Sequence, residues 1–188
     1  MKKMKWLVAG AATLLLLPGL ARMASEPQGN ALKNAKVGQW VEYSTHNQIM
    51  GRTMEMKTKQ TIVAKDATSV TMRVETTMMG RAMPPQTVKI QLDKTYQPYT
   101  EGMTNAKVTK LGEGDESLTV GGKSYPCHWV KVKVSATKPH AMEAVTKVWT
   151  CKTVPVTGMV KMESDSTMKM EGHSVPNKLT MVLTGSGG

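Results

Sequence analysis

From Gln39 onward the chain alternates apolar and polar residues with a period of two. In 53–64, Met54, Met56 and Ile62 share one parity, while Glu55, Lys57 and Lys59 take the other. In 70–78, Val70, Met72, Val74 and Met78 oppose Thr71, Arg73, Glu75 and Thr77. In 87–93, Val88, Ile90 and Leu92 alternate with Lys89, Gln91 and Asp93. Successive side chains of a strand point to opposite faces, so this pattern predicts half-buried strands with one wet face. No segment keeps a 3.6-residue apolar period over three turns.

Turn chemistry falls between these runs. Asp66-Ala67-Thr68 separates the second and third strands, and Gly80 to Pro85 the third and fourth. Gly121-Gly122 lies between Leu118-Thr119-Val120 and a strand opening at Lys123, which is a two-residue hairpin pattern. Roughly nine or ten strands with short turns follow, and they predict an all-β fold. The expected architecture is a large curved antiparallel sheet, a half-barrel meander whose concave side is covered or occupied. A closed barrel and a two-sheet sandwich are the alternatives. Residues 38–184 form the single β domain, 22–37 a polar linker with at most a short helical turn around Ala31–Ala35, and 185–188 a flexible tail.

The start of the chain sets the compartment. Lys2, Lys3 and Lys5 precede an apolar run from Trp6 to Leu17, which Pro18-Gly19 breaks, and Gly19-Leu20-Ala21 places small residues where a signal peptidase reads. Basic, apolar and small-residue regions in that order predict a secretory signal peptide over 1–21. The run is short of the roughly 20 residues that a spanning helix needs. No cysteine stands near the cleavage point to carry a lipid. The chain is expected to be exported, to the periplasm or beyond the cell.

Only two cysteines occur, in Cys127-His128-Trp129 and Trp149-Thr150-Cys151. The tripeptides mirror one another around a loop containing Pro139. Antiparallel pairing of 124–134 with 144–152 sets Cys127 opposite Cys151 and Trp129 opposite Trp149, and it also faces Lys131 with Lys147. Cross-strand Cβ atoms lie about 4.5–5.5 Å apart, near what a disulfide requires. In an oxidising compartment a structural Cys127–Cys151 disulfide is expected, with a buried thiol pair or metal ligation as the alternatives. A redox-active pair is disfavoured by the absence of Cys-x-x-Cys spacing.

The chain holds 17 methionines and no phenylalanine. Methionine packs irregular space, and it also lines adaptable apolar surfaces. Ordinary core packing therefore competes with an apolar ligand face of Met54, Met56, Met72, Met78, Ile90, Leu92 and Met181. A third reading is a Cu(I) site, because thioethers select Cu(I); its candidate ligands are Met54, Met56, His128, Met168 and Met170. Alternation alone yields Met-x-Met on a strand, which favours the core.

Charge and missing motifs narrow the function. The chain carries 25 basic and 14 acidic side chains; without the three lysines of 1–21, 22 face 14, a surplus of +8. That surplus suits a solvated Lys-rich face or peripheral contact with an anionic membrane surface. Nucleic acid is not an expected partner, since no basic-aromatic recognition motif occurs. Gly-x-Ser-x-Gly, phosphate-loop and His-Glu-x-x-His patterns are missing. Asp115-Glu116 are adjacent acids in a Gly-rich stretch. Neither an enzyme nor a cofactor is expected.

Three segments carry a resemblance: Val37-Gly38-Gln39-Trp40-Val41-Glu42-Tyr43, Val120-Gly121-Gly122-Lys123-Ser124-Tyr125-Pro126-Cys127, and Val148-Trp149-Thr150-Cys151 running on to Lys161. Together they resemble uncharacterised secreted proteins of planctomycete-type bacteria. More distantly the chain is similar to the lipoprotein-carrier (LolA/LppX-like) superfamily. The resemblance implies a large antiparallel sheet around an apolar concavity and a lipid-like ligand. The functional expectation is an exported envelope protein that carries such a ligand on a Met-lined concave face. A periplasmic Cu(I)-binding protein and a structural envelope component without ligand are the alternatives.

Overall fold

The computed structural model describes residues 30–93, 106–137, 141–170 and 173–188; the expected signal peptide and the Pro139 loop lie outside them. Ten strands run in chain order: β1 (Trp40–Ile49), β2 (Arg52–Lys65), β3 (Ser69–Met78), β4 (Arg81–Ala82), β5 (Gln86–Gln91), β6 (Lys107–Val120), β7 (Lys123–Ala136), β8 (Met142–Thr150), β9 (Met159–Met170) and β10 (His173–Gly187). They form one antiparallel sheet in the order β4-β3-β2-β1-β10-β9-β8-β7-β6, with β5 also on β3. The expected all-β curved sheet is therefore the fold, and among the described residues the sheet does not close into a barrel. It is two meanders joined at the middle, because the first strand pairs with the last.

Two-residue hairpins set the register. Gly121 and Gly122 both take positive φ between Val120 and Lys123, as a type I′ turn requires. Met50-Gly51 and Met79-Gly80 adopt the same left-handed pair, with φ of 51° and 76° and of 50° and 79°. The break expected over Gly80 to Pro85 thus begins one residue earlier and contains the short strand β4. The Asp66 turn forms as expected. Its carboxylate accepts from the Ser69 hydroxyl at 2.7 Å and from the Thr68 and Ser69 amides at 2.8 and 2.6 Å, and these bonds, the Ser69 hydroxyl first, hold it well below the usual carboxylate range.

Alternation places one residue in two on the concave face, where a single buried cluster gathers residues of both halves, among them Val41, Ile62, Met72, Val132, Val148, Met162 and Met181. One cross-sheet row reads Met78–Met56–Thr45–Met181–Met162–Val148–Val130, each residue directly opposite the next.

The short helical turn expected around Ala31–Ala35 is present, so the segment before β1 is not a bare linker. A 3-10 turn over Ala31–Asn34 buries Leu32 at 1% exposure and Ala35 at 3%. Asn30 donates to the Gln91 carbonyl, and the Lys65 ammonium donates to the Lys33 and Ala35 carbonyls. The turn therefore acts as a small plug over the edge of β2 and β5. Nor is 185–188 a free tail: Gly185, Ser186 and Gly187 pair with Glu42, Val41 and Trp40. The glycines are needed there, because a Cβ on Gly187 would stand 2.8 Å from the Trp40 indole nitrogen and one on Gly185 3.1 Å from its ring. A Gly-Ser-Gly-Gly run reads as loose chain until its tryptophan is in view.

Candidate functional site

The β1–β2 turn and the β3–β4 turn lie at the same end of the sheet, since Met79 donates its amide to the Glu55 carbonyl of β2. This rim is rich in methionine. Met50 and Met79 at the turns are 74% and 72% exposed, and Met83 is also exposed. The Met83 amide donates to the Thr76 carbonyl, extending the β3–β4 pairing. Just inside, Met56 lies directly opposite Met78 on the concave face, with Met54 two residues along, and all three are half-buried.

The other side of this methionine patch is polar and unsatisfied. Thr45 is opposite Met56 and Asn47 opposite Met54. Thr45 Oγ1 and Asn47 Oδ1 are buried without a hydrogen-bond partner among the described residues, as is Asn177 Oδ1 on β10. Buried polar atoms are nearly always hydrogen-bonded, to protein or to ordered water. Such atoms beside half-open thioethers form a surface with an apolar part and a hydrogen-bonding part. Gln60 is likewise buried and unpartnered at both amide atoms, but it sits deeper, between Val41 and Val74.

The expected apolar ligand face divides accordingly. Met72, Ile90, Leu92 and Met181 are sealed in the core at 5% exposure or less. Only Met54, Met56 and Met78 keep an open side. The expected copper ligands do not come together. Met54 and Met56 are on β2, and the Met56 row reaches β9 at Met162 and not at Met168. Met168 faces Met142, which faces Ala136, while His128 lies eight positions away along β7, about 26 Å at ~3.3 Å per residue. Met170 pairs with His173 at the far end of β9. No group of three or more His, Cys, Asp or Glu suited to a metal ion occurs among the described residues.

The opposite end of the sheet holds the tryptophans and cysteines. The mirror register is present: Trp129 faces Trp149 and Lys131 faces Lys147. Like charges face one another in the lysine pair, and this is relieved because the Lys147 ammonium lies 4.3 Å from each tryptophan ring and 3.0 Å from Glu116. The buried Trp149 donates its indole N–H to Glu116 as well. These donors, Trp149 first and then Lys147, hold the Glu116 carboxyl below the usual range. Gly114 lies flat beneath Trp129, where a Cβ would come within 3.0 Å of the ring.

The expected Cys127–Cys151 disulfide is not formed; both are buried free thiols. The β7–β8 ladder ends at His128–Thr150, one residue short of them. There Cys151 turns away, its amide donating to the Gly158 carbonyl at 2.7 Å and its sulfur lying 3.1 Å from Thr153 Oγ1. Burial, reinforced by the neighbouring Cys151, pushes the Cys127 thiol up to about 11, so it is protonated and a poor nucleophile near neutrality. Both cysteines line a half-open cleft of about 970 Å³ with Asp115, Glu116, His128 and the 151–158 loop. Tyr43 pins that loop through Thr157 Oγ1 at 3.0 Å and the Met159 carbonyl at 3.1 Å. His128 contacts Asp115 at 2.9 Å and Glu113 at 3.4 Å, which ties up its ring nitrogens.

No family model matches the chain, and no curated protein does. Two solved structures are similar to it at low identity. A candidate lipoprotein of Parabacteroides distasonis shares 12% identity over 81% of this chain and 96% of its own, with a TM-score of 0.43. The hypothetical lipoprotein YmcC of Escherichia coli shares 9% over 74% of this chain and 86% of its own, with a TM-score of 0.29. At these values neither likeness assigns a family, a ligand or a compartment.

Proposed function

We propose that this is an exported, non-catalytic binding protein that holds a lipid-like amphiphile at the methionine rim of its concave face. The observation that carries the reading is the juxtaposition of half-buried Met54 and Met56 with the buried, unpartnered Thr45 Oγ1 and Asn47 Oδ1 opposite them. An aliphatic chain would lie on the thioethers, which adapt to its shape, and its polar end would complete the hydrogen bonds. The sealed state of Met72, Ile90, Leu92 and Met181 restricts the site to the rim. The separation of His128 from the methionines favours this reading over a copper carrier, and the high thiol pKa of Cys127 favours a non-catalytic role for the cleft. Export rests on the signal-peptide order of residues 1–21.

The test is detergent-free purification followed by native mass spectrometry and titration with a fluorescent fatty acid. The reading expects a co-purified amphiphile or saturable probe uptake, lost in Met54→Lys/Met56→Lys. A protein that arrives empty and takes up no probe overturns it.

A further inference from the structure

The two exposed rim turns share a sequence. Ile49-Met50-Gly51-Arg52 and Met78-Met79-Gly80-Arg81 both read apolar-Met-Gly-Arg, and both place methionine first in a left-handed turn. That position favours Gly, Asn or Asp, and methionine is strained there. It is also among the most exposed apolar residues of the described chain in both cases. Neither turn propensity nor burial accounts for methionine at either place. The arginine that follows is exposed in each copy and pairs with no carboxylate among the described residues. Glu55, the acid nearest both turns along β2, faces His46 at 3.6 Å, and Lys57 adds a further positive charge.

We infer that the twin Met-Gly-Arg turns dock this rim on an anionic phospholipid surface. Two apolar tips at one end of a rigid sheet enter the headgroup boundary together, as apolar residues of interfacial segments do. Arg52 and Arg81 then stand at phosphate level, where guanidinium groups form charge-assisted hydrogen bonds. The net charge, +11 for the full chain and +8 without the three lysines of 1–21, is of the sign such a surface attracts. The inference stands on the turns and does not require the ligand reading, although docking would present the Met54–Met56–Met78 patch to the bilayer.

Co-sedimentation with vesicles tests it. The intact protein is expected to bind phosphatidylcholine vesicles containing phosphatidylglycerol, more weakly as salt rises, and to bind pure phosphatidylcholine at least about tenfold more weakly. Met50→Asn/Met79→Asn keeps the turns, since asparagine suits them, and should weaken binding roughly tenfold. Arg52→Gln/Arg81→Gln should remove most of the preference for the anionic lipid. No binding to the anionic vesicles, or equal binding by the Asn variant, overturns the inference. Fatty-acid uptake is measured separately without vesicles, so loss of one reading leaves the other standing.

Discussion

At one end of the sheet, Met50 and Met79 stand in water on strained turns above three half-buried methionines and two unpartnered polar atoms. At the other, Trp129 lies on a glycine, Trp149 donates to Glu116, and Lys147 bridges both rings. Both ends are built from the same alternating strands, so the strand pattern is not what separates them. They differ in whether each group has found a partner. The tryptophan end has spent its polar groups on itself and serves stability. The methionine end has left them open, and open groups beside apolar surface are what a ligand requires.

The sharpest way to break this contrast is at the tryptophan end. Trp149→Ala should destabilise by about 3–5 kcal/mol, removing a buried ring together with a donor to Glu116; chemical denaturation measures it. Gly114→Val should cost about 1–3 kcal/mol by forcing Trp129 off the sheet, with a matching change in tryptophan fluorescence. At the methionine end the sign should reverse. Thr45→Val keeps the shape and removes an unsatisfied hydroxyl, so it should raise stability by about 1 kcal/mol while weakening amphiphile binding. A stability loss there would show that the hydroxyl has a partner and would erase the contrast. Met50→Asn should stabilise by a few tenths to about 1 kcal/mol by relieving the left-handed methionine.

The smallest effect is a pH dependence. Glu116 has its folded pKa depressed by Trp149 and Lys147, so its contribution is present above the unfolded value of about 4.3 and is lost as pH falls through the folded value. Glu113 is lowered in the same direction, chiefly by Lys110. Acid should therefore loosen the tryptophan end first, seen as a fluorescence change that precedes the loss of strand circular dichroism. Glu116→Gln should flatten that limb.

Much of the fold is legible in the residues themselves. Alternation over 53–64, 70–78 and 87–93 gives β2, β3 and β5, and the mirrored tripeptides give the Trp129–Trp149 register, because local periodicity and pair symmetry are sequence properties. The site is less legible. The Met-Gly turns are hidden because methionine is a poor residue for that geometry, and the sealing of Met72, Ile90, Leu92 and Met181 depends on which strands close over them. The disulfide expectation followed the register faithfully but ended one residue past the ladder, where the chain bends at Cys151.

The sequence by itself determined the strand content, the parity of β2, β3 and β5 and the turn at Gly121-Gly122, since these need only neighbours along the chain. Tertiary structure alone decided that β1 pairs with β10, that the final glycines lie under Trp40, and that two distant Met-Gly-Arg tripeptides share one rim. Pairings between the first and last strands are set by which faces can be buried together, and no local pattern records that.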